Sequence, residues 1–171
     1  MDQGYFSDTT FKPLAHNLYQ LRDDLYYTWQ AEGYMRRIKV PKGFIFDGAS
    51  IPMVGTFITW VLPWYETIYP MGAHWRADCF HDWNWMYRGR VPVGTYDLFV
   101  DGKWVDIGEV IKLENGQAWT FDSSNRLYGR MLKEDGIGKK ERNTMQWAVG
   151  TPIGKMNWNK GKLPDDARQA A

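Results

Sequence analysis

Apolar residues recur along this chain with two different periods. Three short runs, residues 18–21, 25–30 and 34–40, are rich in Leu, Tyr, Trp and β-branched side chains, and Asp23-Asp24 and Glu32-Gly33 separate them. Such separators are turn formers, so the pattern predicts a three-stranded antiparallel meander. In the third run Met35, Arg37 and Lys39 alternate with Arg36, Ile38 and Val40. One face is therefore clearly apolar, as in a sheet with its other side near water. Residues 1–15 lack any period and read as an N-terminal arm, with Thr9, Thr10 and Pro13 as turn or cap residues.

Beyond the meander, Pro41 and Gly43 bend the chain away, and residues 44–47 are short and extended before the small-residue turn Asp47-Gly48-Ala49-Ser50. Ser50 suits an N-cap and Pro52 a first turn, which starts a helix over 53–62 that is apolar nearly all round. Pro63 ends it, and a second helix runs from Pro70 to near Gly89. Asp101-Gly102, between runs 96–100 and 103–107, and Asn115-Gly116, between runs 109–113 and 117–121, are hairpin signals. Asp122-Ser123-Ser124 is a capping cluster before Leu127, Tyr128, Met131 and Leu132, which stand at helical spacing and stop near Gly136. A last helix spans 139–149 and is closed by Thr151-Pro152 and Gly154. The tail from Asn157 on is basic and reads as irregular.

These elements predict an α+β fold: a small antiparallel sheet, made of the N-terminal meander plus inserted hairpins, packed with about four helices. The whole chain, 1–171, reads as a single domain, with the arm at 1–15, inserted hairpins at 91–121 and the tail at 157–171.

Composition adds two points. Ten Trp, ten Tyr and eight Phe supply more rigid aromatic surface than a core of this size needs, and some of it is expected to face a partner. Net charge is only +1, but from Arg126 onward ten Lys/Arg stand against five Asp/Glu, leaving the first 125 residues at −4. Cys79 is the single cysteine, which excludes an internal disulfide or a cysteine-cluster metal site and reads as a buried thiol. No basic start leads into an apolar run and no stretch is long enough to span a bilayer, so neither a secretion signal nor a membrane partner is expected. Aromatics are scattered through every element rather than grouped with Lys and Arg, which ranks nucleic acid third among partner classes.

The candidate chemistry lies on the second helix. His74, Asp78, His81, Asp82 and Trp85 fall within a sector roughly 100° wide on an ideal helix. Two imidazoles and two carboxyls on one face, joined by Asp47, form a donor set for a divalent transition metal. The spacing is permissive, since a two-histidine helical clamp normally uses i, i+4. The competing reading is a polar latch, with His81 and Asp82 bonded to the turn at Asp47, and it is preferred. Asp47 and Ser50 are explained by the turn and the cap without a catalytic role.

The run Val40-Pro41-x-Gly43-Phe44-x-Phe46-Asp47-Gly48-Ala49-Ser50-Ile51-Pro52, followed by His81-Asp82-Trp83-Asn84-Trp85, resembles a domain-of-unknown-function family of bacteriophage and prophage genomes. That family's signature is V-P-x-G-F-x-T-D-G-A-S-x-P, then H-D-x-L-Y, then a helix with A-D-x-x-F. Asn125 stands where the third motif has its Asp. The resemblance implies a phage or prophage origin and a small α+β fold, and it implies no activity. Should the family's set be catalytic, this chain holds a neutral oxygen donor in place of one carboxylate.

Two functions are therefore expected to compete. The first is a phage-encoded, virion-associated structural or assembly protein acting through self-association or other phage structural proteins, found in the virion or in the host cytoplasm during assembly. Its Asp47, Ser50, His81, Asp82 and Asn125 form the latch, and no cofactor is favoured. The alternative is a metal-dependent hydrolase with Asp47, His81 and Asp82 as the working set and His74 or Asp78 as further ligands.

Overall fold

The computed structural model describes residues 4–14, 18–31, 33–47, 74–90, 92–107 and 119–161. Strand β4 (Leu25–Ala31) and strand β5 (Tyr34–Val40) form a full hairpin, with Leu25 opposite Val40 and Ala31 opposite Tyr34. Alternation decides which side chains go inward. Leu25, Tyr27, Trp29 and Ala31 of β4 and Ile38 and Val40 of β5 are buried, while Gln30, Tyr34 and Met35 are exposed. Strands β7 (Tyr96–Val100) and β8 (Lys103–Asp106) extend this sheet beyond β5, and β1 (Tyr5–Phe6) caps its other side. The order is β1-β4-β5-β7-β8, antiparallel throughout.

The Asp101-Gly102 hairpin forms as expected, with φ of 49° and 77° at its two central residues, the left-handed conformations that such a turn demands. It pairs through β7 with β5, so this part of the 91–121 segment belongs to the main sheet. The second expected hairpin, at Asn115-Gly116, and the expected helix at 53–62 lie outside the described residues. Trp119 to Phe121, placed in that hairpin's second strand by the sequence pattern, instead lead into a helix.

Two of the expected features take a different form. The first run, now β3 (Tyr19–Leu21), does not pair with β4; it sits between β2 (Phe11–Pro13) and β6 (Ile45–Phe46) in a second, three-stranded antiparallel sheet. Asp23-Asp24 thus carries the chain from one sheet to the other rather than around a hairpin. The region read as an unstructured arm supplies β1 and β2, each at the edge of a sheet. Pro13 is tolerated there because an edge strand does not need every N–H.

Helix α1 (Trp75–Met86) lies at the centre. Phe80 packs against Phe6 and Tyr27 of the large sheet, and Trp83 against Phe44. On α1's far side runs α2 (Phe121–Glu134), which in turn packs on α3 (Lys139–Val149). Thr120 caps α2: its hydroxyl accepts from the Ser123 amide at 3.3 Å, and the Ser123 hydroxyl accepts from the Thr120 amide at 2.7 Å. The cap therefore sits two residues earlier than Asp122-Ser123-Ser124 suggested. After α3 the chain does not become irregular at once: α4 (Pro152–Asn159) follows, with Thr151 as N-cap and Pro152 at its start.

Candidate functional site

Helix α1 is buried on nearly every side, and its polar residues must therefore be bonded or pay a desolvation cost. Most of the bonds run to α2. The Tyr128 hydroxyl donates to Asp78 Oδ1 at 2.6 Å, the Asn84 amide donates to Ser124 Oγ at 2.6 Å, and His81 Nε2 lies 3.4 Å from Asn125 Oδ1. Asp78, His81 and Asn84 step along one side of α1 at i, i+3 and i+6, while Ser124, Asn125 and Tyr128 step at i, i+1 and i+4 along α2. The two stripes meet as a polar seam inside an otherwise apolar contact. A small cavity of about 10 Å³, room for about one water, opens among Ile38, Phe80, His81, Asn84, Ser124 and Tyr128.

At the start of α1, His74 Nδ1 is 2.5 Å from Asp78 Oδ2, and both side chains are buried. Burial disfavours the charged imidazole, but the bonded Asp78 carboxylate more than offsets it, so the His74 pKa is raised. Burial likewise raises the Asp78 pKa, and its bonds to His74 and Tyr128 pull the other way. One proton is held firmly between the two. Nearby, Arg76 donates to Asp135 just beyond the C-terminus of α2, at 2.6 and 3.0 Å; burial nevertheless pushes the Asp135 carboxyl up to about 6.

His81 is in a different state. Burial drives its pKa down to about 3, with only the Asn125 amide oxygen opposing. The imidazole is neutral at ordinary pH, and its Nε2–H donates to Asn125. Its ring lies between Trp85 and Tyr128, with centroids 4.3 and 4.5 Å away. Its Nδ1 is 3.9 Å from Asp82 Oδ1, which is no ion pair while the ring is uncharged. Asp82 points toward β6: burial, then the charge of Asp47, raises its pKa well above the usual range, and the Asp47 side chain and backbone both bond to it. Burial thus favours the protonated form of Asp82.

The structure thus joins Asp47 to Asp82, His74 to Asp78, and His81 to Asn125. Ser50, the fifth latch residue, lies outside the described residues. Among the described residues no three His, Cys, Asp or Glu side chains converge in an arrangement that could hold a metal ion. Sequence reasoning missed Asn84, Ser124 and Tyr128. In the sequence Tyr128 reads as an apolar position and Ser124 as a cap, although Ser124, Asn125 and Tyr128 share a helical face. Cys79 is buried and free, as expected.

A family model described as "Protein of unknown function (DUF1353)" matches residues 19–149. The chain belongs to the DUF1353 family. The match spans both stripes of the seam, from the strands through α3, so the seam lies within the DUF1353 domain. No curated protein and no solved structure matches the chain. No helix among the described residues is long and apolar enough to cross a membrane.

Replacing Asn125 with Asp tests the electrostatics of this DUF1353 site directly. A carboxylate 3.4 Å from His81 Nε2 in place of a neutral amide should raise the His81 pKa by about 1 to 3 units. Titrating the imidazole C–H resonances by NMR in both proteins measures this. An unchanged pKa would mean that residue 125 does not face the ring.

Proposed function

We propose that the chain is a phage-encoded, virion-associated structural or assembly protein that works through protein–protein contacts. One observation carries this reading: the polar face of α1 is spent on fastening α1 to its neighbours, with Asp78, His81 and Asn84 each bonded to α2. General acid–base catalysis wants a group that titrates near the working pH and reaches the reacting atom. His81 is neutral, buried and bonded to an amide, and is poorly suited to that work. Large apolar side chains meanwhile stand in solvent on the helices and the sheet. The test is protein mass spectrometry of purified particles from a phage that encodes the chain. Its recovery at a fixed copy number supports the reading, and its absence from both mature particles and assembly intermediates overturns it.

The contact between Asp47 and Asp82 favours a second reading, a metal-dependent hydrolase. Two carboxyls in contact can offer their oxygens to a divalent cation. Elemental analysis of the purified chain decides this point. A stoichiometric ion that is lost in Asp82→Asn supports the hydrolase, and a metal-free protein whose stability ignores added Ca²⁺, Mn²⁺ and Zn²⁺ removes it.

A further inference from the structure

The seam between α1 and α2 leaves one side-chain amide half used. Asn84 is 3% exposed and Ser124 2%, and the Asn84 Nδ2 amide donates to Ser124 Oγ at 2.6 Å. The other end of the amide, Oδ1, is buried and finds no donor among the described residues. A buried amide oxygen carries its full desolvation cost unless a donor reaches it. Both side chains line the cavity of about 10 Å³ that opens between α1, α2 and Ile38 of β5.

The Ser124 hydroxyl hydrogen is the matching donor. A serine inside a helix commonly turns that hydrogen back to the carbonyl four residues earlier, here that of Thr120. The Thr120 carbonyl, however, already accepts from the Ser124 amide at 2.9 Å and from the Ser123 hydroxyl at 3.1 Å. Both of its lone pairs are therefore taken. Among the described residues Ser124 Oγ accepts from Asn84 and donates to no other group. One unused acceptor and one unused donor thus stand side by side on the cavity wall.

We propose that this cavity is a binding site for a single water molecule, which accepts from the Ser124 hydroxyl and donates to Asn84 Oδ1. The bonds then close a ring: Asn84 N–H to Ser124 Oγ, Ser124 O–H to the water, and the water back to the Asn84 carbonyl oxygen. Each bond in such a ring polarises the next. Size selects the occupant, since about 10 Å³ holds one water and nothing larger. Charge excludes ammonium, the other small donor, because His81 is neutral and the other described side chains that line the cavity carry no charge, so a buried cation would have no partner. Two bonds meet the minimum for an ordered buried water. The water fastens the Asn84 end of the seam, as Asp78 fastens the His74 end, and the site stands under either reading of the protein's function.

A crystal structure of the full chain, at a resolution that shows ordered water, makes the first test. A water peak is expected about 2.6 to 3.2 Å from both Asn84 Oδ1 and Ser124 Oγ. Oxygen-17 relaxation dispersion in solution counts the waters that the fold holds, and it compares the wild type with Asn84→Val combined with Ser124→Ala. That pair replaces both polar groups by apolar ones, so neither is left unsatisfied. The double variant should hold one water fewer, and its cavity should be dry. A dry cavity in the wild type overturns the inference, and so does a water that persists in the double variant, since other groups would then be holding it. If the double variant does not fold, the wild-type density decides alone: a peak bonded to both atoms supports the site, and a peak bonded to neither, or no peak, removes it.

Discussion

Lowering the pH from about 6.5 to about 3 is expected to remove on the order of 4 kcal/mol of stability through His81 alone. In the unfolded chain this imidazole takes up its proton near 6.5, whereas in the fold it does so only near 3. Between those values the unfolded state binds more protons, so stability rises with pH and is lost as pH falls. Asp135 works in the opposite sense. Its folded pKa of about 6 exceeds the ordinary 3.8, so between those values the folded state holds the extra proton and acid stabilises. Asp78 and Asp82, both raised, add to that opposing slope. The net curve of the wild type is thus a difference, and the His81 contribution is read by comparison with His81→Gln, which keeps an amide N–H for Asn125 and cannot titrate. The stability difference between the two proteins, from urea unfolding, should shift in favour of the variant by several kcal/mol between pH 7 and pH 4. A pH-independent difference would mean that His81 titrates normally in the fold, and the case for a neutral, structural imidazole would fall with it.

Features settled by local chemistry were legible in the sequence. The Asp101-Gly102 hairpin needed only two residues able to take positive φ, and α3 has the bounds expected of a helix closed by Thr151-Pro152. The α+β class followed from the succession of periods. Features settled by distant partners were not legible. Asp23-Asp24 can turn a hairpin or lead to another sheet, and the choice depends on β2 and β6 lying on either side of β3. Thr151-Pro152 reads equally as a stop for α3 and as the N-cap and first residue of α4, and only the packing of Trp158 and Gly154 into the molecule shows that the second applies. The site divides in the same way. That His74, Asp78, His81 and Asp82 share one face of a helix follows from the 3.6-residue period. That Asp78 would meet a tyrosine, His81 an asparagine and Asp82 another aspartate is fixed by how α2 and β6 cross α1, and no spacing within α1 carries that information.

Asp78→Ala is expected to cost about 3 to 5 kcal/mol, the largest loss from any single change in the seam. Three penalties coincide. The Tyr128 hydroxyl loses its acceptor in a buried position, His74 loses the partner that holds its proton, and the missing carboxyl leaves a gap in a tight helix contact. Tyr128→Phe removes only a donor and should cost about 1 to 3 kcal/mol. Because the two side chains share one bond, the double variant should fall short of the sum by about 0.5 to 3 kcal/mol. Denaturant midpoints at an unchanged slope measure all three. The sign carries the argument further than the size. Groups kept for chemistry are commonly held at a cost to the fold, so their removal leaves stability unchanged or improves it. Groups kept to fasten helices lower it when removed. A stabilising or neutral Asp78→Ala would therefore move His74 and Asp78 out of the seam and into the candidate donor set beside Asp82, and would shift the balance toward the metal-dependent hydrolase. A loss of the expected size, coupled to Tyr128, places them where the distances do, in the bond between α1 and α2.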